Sequence, residues 1–182
     1  MNYRTLGRTG LEVSEVGYGA WGIGGDSYGA VDFKQAQKAL EVALDNGINF
    51  YDTSNLYGTG RSEEILGDVF SKKRDKVIIA SKFGLLPHSG RALPVDLSVT
   101  SLKKYIEESL KRLKSDYIDL YQFHSPRVED LENNDLFETL FQFKKSGKIR
   151  SIGASMRSPA EAIIAIEKYN IEVIWVTSGA IA

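Results

Sequence analysis

Cysteine is absent from the 182 residues, which excludes disulfides and thiolate metal ligands and leaves the redox compartment unmarked. Histidine occurs only at His88 and His124, and no His-x-His pair ends an apolar run. A zinc hydrolase is therefore disfavoured, and no metal site is expected. No block of basic residues occurs and the formal net charge is -1. Nucleic acid and anionic membrane surfaces are not favoured as partners. No apolar run approaches the ~20 residues of a membrane span. The start, Met1-Asn2-Tyr3-Arg4-Thr5-Leu6-Gly7, lacks the apolar stretch of a secretory signal. There is no phosphate-loop motif. These absences make a soluble cytoplasmic protein the plain reading.

What is present is a good core. Apolar residues make up 42% of the chain, and the length suits one domain. Tyr3–Leu6 and Leu11–Val13 flank a Gly-bounded turn and predict a hairpin. A short strand is expected at Val16–Ala20, followed by a flexible glycine-rich loop from Trp21 to Gly25. Asp32 caps a helix carrying Ala36, Leu40, Ala43 and Leu44 on one face, closed by Gly47. Strands are expected at Ile48–Tyr51, Val77–Ala80, Tyr117–Phe123, Ile149–Gly153 and Val173–Val176. Helices fall between them: Glu63–Phe70, one around Leu102–Leu113 capped by Ser98 or Thr100, one around Leu136–Phe143, and one opened by Ser158-Pro159. Strand–helix alternation predicts a parallel sheet with crossover helices. The strand starts lie about 24–40 residues apart, which suits the roughly 30 residues per unit of an eight-unit (β/α) barrel of ~250 residues. Only about six such units fit in this chain.

Chemistry gathers at strand ends. The organising stretch is Phe50-Tyr51-Asp52-Thr53-Ser54-Asn55-Leu56-Tyr57-Gly58. Asp52, Lys82 and His124 each follow an apolar strand, and Tyr57 lies in the loop after Asp52. Singly, these are an ordinary turn aspartate, a surface lysine, a packing tyrosine and a satisfied histidine. On three neighbouring strands of a barrel they would converge on its C-terminal rim, where active sites form. A phenol beside an ammonium gains acidity, and a carboxylate beside the ammonium keeps it charged. Such a group suits proton transfer to a carbonyl, with His124 orienting the oxygen. A nicotinamide cofactor would have to supply the hydride. Gly17-Tyr18-Gly19-Ala20-Trp21-Gly22 matches G-x-G-x-x-G, but no helix opens before Asp32, so a Rossmann pyrophosphate site is not expected. Trp21 is a candidate pocket wall instead.

Taken together, these stretches resemble the aldo-keto reductase superfamily over residues 2 to about 174. Besides Phe50–Tyr57, the resemblance is carried by Tyr3–Gly7, Leu11–Ser14, Gly17–Trp21, Ser62-Glu63, Ser81-Lys82, Ser109–Leu113, Tyr117–His124 and Gly147–Gly153. It implies an α/β fold of the (β/α)₈ TIM-barrel type with an N-terminal hairpin plugging one end. It implies NADPH-dependent reduction of an aldehyde or ketone to an alcohol. By position, Tyr57 resembles the general acid, Lys82 and Asp52 its supporting pair, and His124 the substrate-orienting residue. Gly19, Ala20, Trp21 and Asp52 would lie near the nicotinamide or substrate, and Ser155 would meet the carboxamide. The family often has Asn after that serine, where this chain has Met156. Residues 1–182 are expected to form a single incomplete barrel domain, truncated after about the sixth strand. In the family, the seventh and eighth strands carry most contacts to the cofactor's phosphates, so weak NADPH binding is expected. Potassium-channel regulatory subunits share the resemblance. A non-catalytic cofactor-binding subunit and an inactive fragment are therefore the alternative readings.

Overall fold

The computed structural model describes residues 1–26, 29–88 and 93–176. A hairpin of β1 (Tyr3–Thr5) and β2 (Glu12–Ser14) comes first. Then β3 (Tyr18–Gly19), β4 (Phe50–Asp52), β5 (Ile78–Phe83), β6 (Ile118–His124), β7 (Ile149–Met156) and β8 (Val173–Val176) form one sheet in sequence order. All five pairings in it are parallel. The crossovers carry α1 (Phe33–Asp45), α2 (Arg61–Phe70), α3 (Val99–Leu113), α4 (Asn134–Lys145) and α5 (Pro159–Tyr169). The result is a six-strand parallel half-barrel among the described residues, with β3 and β8 as its edges. No helix of the described residues is long and apolar enough to cross a membrane.

Local chemistry sets the helix starts. The Asp32 carboxylate accepts from the backbone N–H of Lys34 at 2.9 Å and of Gln35 at 3.3 Å, satisfying donors that the first turn of α1 leaves open. Ser98, rather than Thr100, caps α3 through Ser101 N–H. Ser158 caps α5 through Glu161 N–H, with Pro159 as its first residue.

The strands differ from the sequence expectation at their ends. β3 is only two residues long, short of the expected Val16–Ala20. β4 starts at Phe50 because Asn49 is engaged by the hairpin. Its side chain accepts from Ser14 N–H at 2.7 Å and donates to the Glu12 carbonyl at 2.9 Å. β5 and β7 run further than expected because their neighbours continue to pair, Phe83 with Phe123 and Met156 with Val176. Lys82 therefore lies inside a strand. The Trp21–Gly25 segment, expected to be flexible, holds a short 3-10 turn at Gly22–Gly24.

The hairpin lies under the N-terminal ends of the strands. Besides Asn49 before β4, it reaches the start of β8, where Arg8 donates to the Asn170 side chain at 3.0 Å. Side chains alternate along each strand. Tyr51, Ile79, Phe83, Tyr121 and Phe123 enter the core shared with the helices. Asp52, Lys82, Gln122 and His124 take the opposite, inner face. The sheet is curled: Lys82 Nζ lies 5.7 Å from the Trp175 ring although two strands separate β5 from β8. In a flat sheet, with strands ~4.8 Å apart, those strands would stand roughly 14 Å apart.

Gly67 lets α2 and α3 touch. A β-carbon there would collide with the Arg112 carbonyl oxygen and lie 2.8 Å from the Leu113 carbonyl carbon. Alanine in a helix interior normally gains about 1 kcal/mol over glycine. Here overpacking, typically about 1–3 kcal/mol, is expected to outweigh that gain. Gly67→Ala should lower stability in urea denaturation. An increase would show that the backbones of α2 and α3 do not touch at Gly67.

Candidate active site

Lys82 lies at the centre. It is 2% exposed, and a buried ammonium is tolerated only when its donors are met. All three are: Nζ donates to Asp52 Oδ2 at 2.5 Å, to the Thr53 carbonyl at 2.9 Å and to the Tyr57 hydroxyl at 3.1 Å. Asp52 ends the adjacent strand β4, so its carboxylate reaches Lys82 across one strand spacing. Its second oxygen accepts from Gln122 Nε2 at 3.3 Å, from β6 on the other side of β5.

The loop that presents Tyr57 is fixed from both ends. Thr53 N–H donates to the Ala80 carbonyl at 2.8 Å, and Ala20 N–H to the Asp52 carbonyl at 2.8 Å. Ser62, at the start of α2, donates to the Ala20 carbonyl at 2.8 Å and lies 2.8 Å from the Thr53 hydroxyl. Glu63 beside it is buried and accepts from Ser81 at 2.5 Å and Arg112 at 2.7 Å. Gly58 packs on Gly24 with φ at +62°, and a β-carbon would lie 2.8 Å from Gly24 Cα. Only glycine meets both demands. Gly58 N–H donates to Asp26 at 3.0 Å. The Gly-rich loop thus braces the residue after Tyr57.

His124 ends β6. Its Nδ1 lies 3.1 Å from Ser54 Oγ, and its ring meets the Tyr57 ring edge-on, centroids 5.9 Å apart. Burial above all, then the Lys82 charge and His88, pushes its pKa down to about 3. The imidazole is therefore neutral near pH 7. A cavity of about 550 Å³ opens here, lined by Trp21, Asp26, Leu56, Tyr57, Leu85 and His124 among others. A second hollow of about 470 Å³ lies between the hairpin, with Arg4, Leu6 and Val13 among its lining residues, and Gly19, Phe50, Asp52 and Trp175 of the sheet.

The structure brings together Asp52, Lys82 and His124, which the sequence placed at successive strand ends, and Tyr57, which it placed in the loop after Asp52. Trp21 is half-exposed with its ring 6.3 Å from that of Tyr57. Gly19 pairs in register with Asp52, and a β-carbon on it would meet nothing within 4 Å. Ala20 is fully buried, its backbone bonded to Asp52 and Ser62. Ser155 pairs in register with His124 on one side and Trp175 on the other. Met156 is buried in the core. Sequence reasoning missed Gln122 and Ser54. Gln122 stands two residues before His124, so strand periodicity alone places both on one face. Ser54 has no such signal, because its partner lies 70 residues away. The arrangement offers a proton-bearing phenol, a fixed positive charge beside it and a neutral imidazole, which together suit proton transfer to an oxygen atom.

The burial of His124 sets a pH dependence. The unfolded imidazole titrates near ~6.5, whereas the folded one stays neutral down to about 3. The unfolded chain therefore binds the extra proton between those limits, and stability falls as pH drops through that window. Between pH 7 and 5 this should cost about 2 kcal/mol. His124→Asn should lose correspondingly less stability over the same interval in urea titrations. Equal slopes would show that His124 is not held neutral.

A sequence profile described as the Aldo/keto reductase family matches residues 15–177. The chain is 40% identical over 166 residues to the aldo-keto reductase YhdN of Bacillus subtilis (strain 168), covering 85% of this chain and 47% of that protein. It is 37% identical over 162 residues to a 6-dehydroglucose reductase of Novosphingobium aromaticivorans, covering 84% of this chain and 51% of the relative. The holo structure of aldo-keto reductase AKR11C1 from Bacillus halodurans superposes with a TM-score of 0.85 at 32% identity. That match covers 98% of this chain and 58% of the other. The chain thus spans about half the length of the curated relatives it matches. With this profile match and these identities added to the half-barrel and its hairpin, the chain belongs to the aldo/keto reductase family.

Proposed function

We propose that this chain carries the proton-transfer centre of a nicotinamide-dependent carbonyl reductase, reducing an aldehyde or ketone to an alcohol. The observation that carries it is the Lys82 ammonium bonded at once to the Asp52 carboxylate and the Tyr57 hydroxyl. The substrate oxygen would sit in the cavity between Tyr57 and His124. As the carbonyl carbon accepts hydride, its oxygen gains negative charge, and Tyr57 delivers its proton to that oxygen. Lys82 stabilises the phenolate left behind, Asp52 holds Lys82, and solvent restores the phenol proton. His124, neutral and buried, orients the oxygen through a hydrogen bond.

NADPH would supply the hydride when bound. Beside Asp52 the bare face of Gly19 leaves open space and Trp175 offers an aromatic wall, which would suit a flat ring at the sheet side of the hollow that the hairpin closes below. Gly19, Trp21, Asp52 and Ser155 would hold the nicotinamide end, with buried Ala20 fixing the loop behind Trp21. The substrate would be a small carbonyl compound.

The test is NADPH oxidation with a panel of aldehydes and ketones. Tyr57→Phe should lower kcat by about 10²–10⁴-fold. NADPH affinity, followed by quenching of Trp21 and Trp175 fluorescence, should stay unchanged. Lys82→Met should lower kcat similarly. Undiminished turnover in Tyr57→Phe, or none with any carbonyl in the parent protein despite cofactor binding, would overturn the proposal and favour a cofactor-binding regulatory role.

A further inference from the structure

The usefulness of His124 depends on which ring nitrogen bears its proton. A neutral imidazole donates from one nitrogen and accepts at the other. Nδ1 is taken up by Ser54 in a buried contact at 3.1 Å. That leaves Nε2 for the cavity His124 lines. Protonated, Nε2 donates to a substrate oxygen. Bare, it sets a lone pair against the lone pairs of that oxygen.

Ser54 decides between these states. It is fully buried, and Leu56 N–H donates into its oxygen at 3.1 Å. The hydroxyl proton then has two acceptors in reach, His124 Nδ1 and Asn55 Oδ1 at 3.3 Å. The second distance exceeds the usual range of about 2.5–3.0 Å for O–H···O bonds. Asn55 is also partly exposed, so its oxygen can turn to water. Nδ1 is the shorter contact and the one with no solvent alternative. We propose that Ser54 is a positioning residue whose hydroxyl donates to Nδ1, fixing His124 as the Nε2–H tautomer and making it a second hydrogen-bond donor to the substrate oxygen. This rests on the carbonyl-reduction reading for its use, but the tautomer can be measured without turnover.

The chain has two histidines, so ¹⁵N-histidine NMR resolves each, and the spectrum of His88→Gln assigns them. The expected result is a protonated Nε2 and an unprotonated Nδ1 on His124. Ser54→Ala should shift the population toward Nδ1–H, and Ser54→Thr, which keeps the hydroxyl, should preserve the parent pattern. Where carbonyl turnover is present, Ser54→Ala should lower kcat by about 10-fold or more, NADPH affinity should hold, and Ser54→Thr should recover most of the rate. A protonated Nδ1 in the parent protein overturns the proposal, and so does an unchanged tautomer in folded Ser54→Ala. If Ser54→Ala does not fold, the parent spectrum together with Ser54→Thr decides. Absent turnover with the expected nitrogen signals would remove the functional reading and leave the tautomer assignment. Turnover with Nδ1–H would do the reverse.

Discussion

A lysine ammonium buried from water needs a partner for each of its protons, and the arrangement around Lys82 follows from that need. Desolvating a charge costs several kcal/mol, recovered only by close, well-aligned partners. Asp52 supplies the opposite charge from the neighbouring strand, the Thr53 carbonyl takes a second proton, and the third goes to Tyr57. Thr53 and Tyr57 lie on one loop, so the charge draws that loop over the end of the sheet. The interaction that satisfies the lysine is thus also the one that presents the phenol.

The loop is held from outside as well. The glycine-rich segment after β3 packs on Gly58, and the first turn of α2 is tied back to Ala20 by Ser62 and to α3 by the Glu63–Arg112 pair. These contacts share neighbours, so their contributions will not add independently. They link a helix–helix contact on the outer layer to the position of one hydroxyl on the inner face. The energetic cost of a side chain at Gly24 or Gly58 would fall on this alignment as well as on stability.

Much of this was legible in the sequence because periodicity and caps are local. The helix starts at Asp32 and Ser158 and the strand–helix alternation rest on patterns within a few residues, whereas the strand order rested on the spacing of the units and the family resemblance. The assignment of Asp52, Lys82 and His124 to the C-terminal ends of successive strands is equally local. Strand ends were less legible, since pairing partners decide them: Asn49 is claimed by the hairpin, and Ser155 and Met156 are drawn into β7 by β8. Gln122 was readable from the period of two but reads as core in an aromatic strand. The Gly24–Gly58 approach and the Ser54–His124 bond leave no local pattern, because each joins loops or strands far apart in sequence.

The Lys82 group sits in the middle of the sheet. Its members come from β4, β5 and β6 and the loop after β4, and each of those strands is paired on both sides. Every hydrogen bond that fixes the Lys82 charge is made by residues between Asp52 and Gln122. The hollow beside Gly19 and Trp175 is different, because it borders the two edge strands, β3 and β8. An edge strand has half its backbone groups unpaired within the sheet and offers them to a further partner. Asp52 belongs to both sites, bonded to Lys82 on one side and bordering the hollow on the other. The Lys82 group is fixed by buried charge in the middle of the sheet, whereas the shape of the hollow also depends on the hairpin and on the two edge strands.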